Sequence, residues 1–349
     1  MGKKIKFADR LIGEGTPCFI VAEAGVNHNG DANLAKKLID LAKKAGADAV
    51  KFQTFRAEDI VTKSAEKAEY QKETTGTQES QYEMIKRLEL SEKDFVELHA
   101  YAQSKEIIFI STPFDQKSVD LLSRLDVPAF KVSSGEITNI PLLKYIAKKK
   151  KPVILSTGMA TLREIGEALK IIQQETKSII LLHCVSSYPA KIEDMNLKVM
   201  DTLRQAFKLP VGLSDHTVGI IVPVAAVARG ACVIEKHFTL DKSLPGPDHQ
   251  ASLEPHELEQ MIKSIRDVEK ALGNGTKRLT AEETKNKKVA RRSLVARVDI
   301  PEGTIITEEM LDLKRPSGGI EPKYMSTVIG RKTRASIRHD ELIAFAKLR

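Results

Sequence analysis

The sequence predicts an α/β protein: a (β/α)8 (TIM) barrel followed by a small second domain. Three observations carry this expectation. Eight short β-like runs alternate with helical stretches over about the first 270 residues, which is the arithmetic of such a barrel. An open doubly wound sheet would show a Gly-rich phosphate turn after an early strand, and there is none. Past residue 272 the rhythm changes, and a length of 349 residues leaves room for a second domain.

The expected strands are Cys18–Ala24, Ala49–Thr54, Ile107–Ser111, Ala129–Ser133, Val153–Ser156, Ile179–Cys184, Val211–Leu213 and Cys232–Lys236. In NLAKKLIDLAKKAG, Leu34, Leu38, Leu41 and Ala42 mark one helix face, and Gly46 marks its end. SEKDFVELHAYAQSK opens on Ser91 with Asp94 three residues on, an approximate capping box. Arg56 to Leu90 is polar and strandless, too long for a simple strand-to-helix connection. It predicts an insertion over the barrel mouth with a short helix. Lys148 to Lys151 suits a solvated helix C-terminus. Residues 273–292 predict a linker holding a short helix capped at Thr280 with Glu283, and 293–349 a compact domain of short strands and turns.

Hydrophobic residues at 42% and charged residues at 29% describe a protein with a sizeable core and exclude disorder. Lys plus Arg number 55 against 47 Asp plus Glu, giving +8. That surplus invites a nucleic-acid partner, but 5% aromatics and no Trp supply few stacking platforms. Cys18, Cys184 and Cys232 sit in apolar runs with no Cys-x-x-Cys pair, as small buried hydrophobes in a reducing compartment do. The longest apolar candidate, Val218 to Ile234, is too short and interrupted to span a membrane. MGKKIKF has charge but no apolar stretch behind it, and Lys6 spoils a myristoylation motif. The expected location is the cytoplasm.

Strands covered on both faces should be apolar throughout, yet several here are not. Lys51 and Gln53 share one face of DAVKFQT, and Lys131 lies in AFKVSSGE. An unpaired buried ammonium is costly, so each lysine meets either a structural carboxylate or an anionic ligand; two near one rim favour the ligand. Strand ends add Ser111, Thr112, Ser133, Ser134, Ser156, Thr157, Ser186, Ser187 and Ser214. Taken singly these are turn or cap residues. Together, at the barrel's C-terminal face, they suggest a phosphate-binding rim. No Walker-type loop supports a nucleotide.

His28, His183, His216 and His237 fall in or just after strands, whereas His99, His256 and His339 fit helices or surface. His216 and His237 follow neighbouring strands and can share one metal. Glu235 lies on the same face as His237, and Glu23 ends the first strand, which closes the barrel beside the eighth. Two imidazoles, a carboxylate and water suit Mn²⁺, Fe²⁺, Co²⁺ or Zn²⁺. Gly25 and Gly30 flank VNHN, either a plain turn or a place where Asn27 and His28 reach a ligand. Pro-Gly-Pro-Asp fixes Asp248 near the mouth, or is a simple turn.

The motifs AEAGVNHNG, VKFQTF, ISTPFD, KVSSGEITN, LSTGMAT, LLHC with SSYP, GLSDHT, EKHFTLDK, PGPDHQASLEP and KRPSGGI stand in one order along the chain. The sequence thereby resembles the sialic acid synthase family over essentially its whole length, with an antifreeze-like (SAF) C-terminal domain. The resemblance implies condensation of phosphoenolpyruvate with an N-acetylated mannose-type amino sugar and water. The product is a nine-carbon 2-keto acid of sialic or legionaminic type, plus phosphate. A pseudaminic acid or spore-coat polysaccharide synthase of the same family is the alternative. By resemblance His216 and His237 hold Mn²⁺, or Mg²⁺ or Co²⁺, with Glu235 close by. Lys51, Thr112, Lys131, Ser134, Ser156, Ser186 and Ser214 match the phosphoenolpyruvate positions. Glu23, Gln53, Tyr188 and Asp248 match positions that hold the sugar, and Glu136 a position near the reacting centre. Ser186 stands where the family often has Asn. Arg315 matches an arginine reaching the sugar from the partner chain, so a domain-swapped homodimer is implied.

Three other assignments compete. A metal-dependent barrel aldolase leaves Lys51, Lys131 and Arg315 without a shared purpose. A carbohydrate- or ice-binding protein leaves the barrel motifs without one. A nucleic-acid binder rests on net charge alone.

Overall fold

The computed structural model describes residues 3–349. The chain forms two compact units, Met1–Gly273 and Asn274–Arg349.

The first unit opens with an antiparallel hairpin, β1 (Lys4–Phe7) and β2 (Arg10–Gly13). Strands and helices then alternate. They run β3 (Phe19–Gly25), α1 (Ala32–Ala45), β4 (Ala49–Thr54), α2 (Ala57–Ile60), α3 (Glu69–Thr75), α4 (Gln81–Arg87) and α5 (Glu92–Ser104). They continue β5 (Ile108–Pro113), α6 (Gln116–Arg124), β6 (Phe130–Val132), α7 (Ile140–Ala147), β7 (Val153–Ser156), α8 (Leu162–Ile172) and β8 (Ile179–Cys184). The series ends α9 (Val199–Phe207), β9 (Val211–Asp215), α10 (Ile221–Ala228), β10 (Val233–His237) and α11 (Pro255–Leu272). β3 to β10 are parallel in the order β5-β4-β3-β10-β9-β8-β7-β6, and β5 lies against β6 at the seam. The expected barrel is therefore present, nearly closed.

The end at Gly46 and the Ser91–Asp94 pair act as anticipated, and Asp31 adds a cap that the sequence reading did not name. Asp31 caps α1 by accepting from Asn33 N, and Gly46 ends it at φ 86°, where a glycine pays no steric cost. Ser91 with Asp94 forms a capping box on α5. The sequence reading departs from the structure in three places. The β1–β2 hairpin was not anticipated, although Lys4-Ile5-Lys6-Phe7 alternates as a half-buried strand does. Segment 56–90 holds three short helices rather than one. β3, β5, β9 and β10 run to Gly25, Pro113, Asp215 and His237, past the expected ends, because polar or turn-forming residues near a strand end do not by themselves stop a ladder.

The hairpin explains the barrel's asymmetry. Ile5, Phe7 and Ile12 join an apolar cluster with inward residues of the strands, among them Phe19, Val21, Ile110, Ile154, Leu182 and Val233. This plug fills one end. Two residues further along the same faces come Glu23, Thr112, Ser156, Cys184 and Glu235, all of which line a cavity. Side-chain period two carries each strand from an apolar bottom layer to a polar top layer. The outer faces of the strands pack under the helices in a separate, larger core.

The second unit contains α12 (Ala281–Ala290), β11 (Ser293–Ala296), β12 (Leu311–Lys314) and α13 (Met325–Val328). Thr280 and Glu283 form the anticipated capping box on α12. β11 and β12 pair antiparallel, and Leu294, Ile300, Ile306, Ile337 and Ile343 are in its own core. No helix of the described residues is long and apolar enough to cross a membrane.

Candidate active site

A cavity of about 410 Å³ opens at the C-terminal ends of the barrel strands. Its floor is set by strand register. Glu23 stands opposite Lys51 on β3 and β4, and His237 opposite Glu23 on β10 and β3. Glu235 stands opposite Ser214 on β10 and β9. These pairings produce the contacts directly. Lys51 Nζ lies 2.6 Å from Glu23 and 3.7 Å from Glu235; Lys131 Nζ lies 3.4 Å from Glu235. Ser214 donates to Glu235 at 2.8 Å. Lys51 donates to Thr112 at 3.1 Å and Lys131 to Ser156 at 2.8 Å. Each lysine thus has a carboxylate partner, and both also line the cavity.

Two carboxylates around the same cations are driven apart. Burial pushes Glu23 up to about 7 despite Lys51. Burial also opposes the charge on Glu235, but Lys131 and Lys51 outweigh it and hold this carboxylate at about 2. Burial also pulls Lys131 below the ordinary lysine value, with Glu235 opposing that pull, while against the same burial the carboxylates of Glu23 and Glu235 hold Lys51 above it. Burial raises Asp248 to about 6.

The histidines converge. The rings of His216 and His237 have centroids 5.6 Å apart. His216 Nδ1 lies 2.7 Å from the Val185 carbonyl, which fixes Nδ1 as the donor and frees Nε2 for a ligand. His237 Nδ1 is buried without a hydrogen-bond partner. Gly25, at φ 54°, sits against it, since a Cβ there would stand 3.2 Å from the ring and 3.3 Å from Glu23. An orphaned imidazole nitrogen beside a second imidazole and Glu235 fits a divalent cation.

Of the residues singled out from sequence, Gln53, Ser134, Ser186, Tyr188 and Asp248 also line this cavity. Ser134 opens a 3-10 turn just past β6, and its Oγ accepts from Gly158 N at 2.9 Å. Gln53 donates to Glu23 at 3.4 Å. Glu136 is not brought to the lining; Asn139 holds its carboxylate at 2.6 Å. Arg315 belongs to the second unit, where it is exposed. Asn27 and His28 shape the loop after β3. Asn27 donates to Phe238 O and Ser252 Oγ, and His28 Nδ1 accepts from Gly30 N. His183 is taken up by the Met195 carbonyl.

Sequence reasoning missed two contributors. Cys184 was read as an inert core residue, yet it lines the cavity with its sulfur 3.8 Å from His216 Nδ1. The signal was its inward parity with Ile180 and Leu182. Tyr70 of α3 stacks on Tyr188 at 5.2 Å, and Tyr188 lies 4.1 Å from the His216 ring. Nothing in the local sequence around Tyr70 marks that long-range contact.

Fold and site together define a (β/α)8 barrel whose buried carboxylates, lysines and histidines converge on one cavity at the C-terminal ends of its strands. Residues 38–277 match the NeuB family and residues 291–349 match the SAF domain. The chain belongs to the NeuB family of phosphoenolpyruvate-dependent synthases. It is 52% identical over 93% of its length, and 98% of the relative's, to the N,N'-diacetyllegionaminic acid synthase of Campylobacter jejuni. It is 39% identical to human N-acetylneuraminate-9-phosphate synthase, over 96% and 93% of the two chains. The crystal structure of the N-acetylneuraminic acid synthetase of Leptospira borgpetersenii superposes with a TM-score of 0.73 at 38% identity, covering 82% of this chain and 95% of that one.

Proposed function

We propose that the protein condenses phosphoenolpyruvate with an open-chain N-acetylated mannose-type amino sugar and water. It releases phosphate and a nine-carbon 2-keto sugar acid of the sialic or legionaminic type. The observation that carries this is the cationic floor of Lys51 and Lys131, set with Thr112 and Ser156 and placed beside His216 and His237.

Lys51, Lys131, Thr112, Ser134, Ser156, Ser186 and Ser214 hold the phosphate and carboxylate of phosphoenolpyruvate, charge-assisted contacts being the strong ones. Glu23, Gln53, Tyr188 and Asp248 orient the sugar so that its aldehyde carbon meets C3 of phosphoenolpyruvate. Glu136 acts from the edge of the site. C3 bonds to the aldehyde carbon, water adds to C2, and phosphate leaves with cleavage of its C–O bond. A divalent cation held by His216 and His237, Mn²⁺ or alternatively Mg²⁺ or Co²⁺, supplies Lewis acidity toward the aldehyde. The chain's contribution is chiefly orientation of two substrates and a water in one cavity.

The legionaminic acid synthase similarity favours a diacetamido-trideoxy sugar within this class. We further propose a cytoplasmic homodimer in which Arg315 of one chain completes the site of the other. Purified protein with Mn²⁺, phosphoenolpyruvate and a panel of such sugars tests the reaction. Phosphate release with a matching 2-keto acid mass is expected; no release with any sugar overturns the assignment.

A further inference from the structure

Tyr188 packs against both candidate metal ligands. Its ring lies 4.1 Å from that of His216, inclined by 35°, and meets the His237 ring edge-on at 5.8 Å. The residue sits in the loop after β8, outside any strand. From the insertion after β4, Tyr70 stacks on it at 5.2 Å with an inclination of 30°. Tyr70, Tyr188 and His216 thus form a run of stacked rings, and all three line the cavity.

The helix that carries Tyr70 is lightly held, since none of the residues of α3 is buried. Polar contacts moor it. The buried Lys67 ammonium donates to Thr75 Oγ1 at 2.9 Å and to the Gly76 carbonyl at 3.0 Å, both at the end of α3, and pairs with Glu79 at 3.1 Å. Thr74 Oγ1 donates to the Pro247 carbonyl at 3.5 Å, in the loop that carries Asp248. One short helix therefore touches the loops of both Tyr188 and Asp248. Glu23 and Gln53 need no such support, because they stand on strands whose ladders fix them. A side chain on a loop keeps one pose only as far as its neighbours pack it.

We propose that Tyr70 is a positioning residue: its ring braces Tyr188 against His216 and so holds Tyr188 in the pose that orients the amino sugar. The proposal rests on the condensation function above, since Tyr188 meets a sugar only if that function holds. The aromatic face carries the role, and the Tyr70 hydroxyl takes no part in the reaction. His216 is fixed separately by the Val185 carbonyl, so the brace serves the sugar and not the metal position.

The test reads phosphate release at saturating Mn²⁺ with the best sugar of the panel above. Tyr70→Ala is expected to raise KM for the sugar about three- to ten-fold, the range of one aromatic pair, while KM for phosphoenolpyruvate stays unchanged. Tyr70→Phe keeps the ring and is expected to recover most of that loss. Because Tyr70 acts through Tyr188, combining Tyr70→Ala with Tyr188→Ala is expected to lower kcat/KM for the sugar little further than Tyr188→Ala alone. Tyr70 is half-buried on a helix outside the cores, so Tyr70→Ala should keep the wild-type urea midpoint and the wild-type Mn²⁺ isotherm. An unchanged sugar KM in Tyr70→Ala overturns the brace. So do losses that multiply in the double variant, a Phe variant as poor as Ala, or a rise in both KM values together. Each of these leaves the condensation standing. No phosphate release by the wild-type protein from any sugar overturns the condensation itself, and the brace with it.

Discussion

The ammonium of Lys236 stands 2.5 Å from a carboxylate oxygen of Asp215, opposite it in the β9–β10 register, and neither side chain is exposed. Thr217 donates to the same carboxylate through its N at 3.1 Å and its hydroxyl at 2.9 Å, and its carbonyl accepts from Lys236. Asp215 and Lys236 alternate with Ser214, His216, Glu235 and His237, which line the cavity. The ion pair therefore fastens, from outside the barrel, the two strand ends that carry both candidate metal ligands. Removing one partner of a buried pair leaves a stranded charge, at a cost of about 3–5 kcal/mol. Lys236→Met is expected to lose that much in urea unfolding, and Lys236→Met with Asp215→Asn to recover part of it. A loss below about 1 kcal/mol in the single variant would show that the pair does not hold the strands.

The orphaned Nδ1 of His237 predicts metal dependence. Chelation is expected to abolish turnover and Mn²⁺ to restore it. His216→Ala and His237→Ala should each lower kcat/KM by about a hundred-fold or more, with circular dichroism unchanged. Calorimetric titration with Mn²⁺ alone gives a readout independent of activity, and each variant should lose the binding isotherm. Full activity in either variant would refute the assignment.

His28 predicts a pH dependence of stability. Burial lowers it from 6.5 to about 4, and its Nε2 has no hydrogen-bond partner. A group depressed in the folded state binds its proton more readily when unfolded. Stability from His28 is therefore complete above pH 6.5 and declines as pH falls toward 4. Between pH 7.5 and 5.5 this amounts to about 1.4 kcal/mol. Glu23, raised to about 7, and Asp248, raised to about 6, act in the opposite direction over that range. The measurement is thus the difference between wild type and His28→Gln, by urea unfolding at both pH values. The variant should lack the His28 component; identical pH slopes would remove it.

The barrel was legible because its signals are local: strand–helix alternation, Gly46, and the capping pair at Ser91. Lys51, Lys131, Glu235 and His237 were legible because each breaks an otherwise apolar strand, and inward parity then places them together. The plug formed by β1 and β2 was not, because four-residue strands of alternating charge look like a polar terminus until something covers their apolar side. Tyr70 and the cavity-lining cluster of Val26, Phe55, Met84 and Leu88 were hidden for a similar reason. α3 and α4 are short, and nothing local marks Met84 and Leu88 as more than packing within the inserted segment. Only the fold shows that this packing faces the cavity.

Arg315 is exposed in the second unit, and the proposed homodimer places it in the partner's site. Complementation separates action in trans from action in cis. An Arg315→Ala chain keeps an intact barrel, and a His237→Ala chain keeps Arg315. If the arginine acts across the dimer, a mixed dimer contains one complete site, built from the barrel of the first chain and the arginine of the second. If it acts within its own chain, a mixed dimer contains none. Co-expression in equal amounts makes about half of the dimers mixed, each with one of two sites complete. Activity is therefore expected to recover to about a quarter of wild type, with each single variant alone far lower. Recovery should rise and fall with the mixed fraction when the expression ratio is changed. Mixed dimers verified by tandem affinity tags that show no recovery would place Arg315 in its own chain's site, or outside the site altogether.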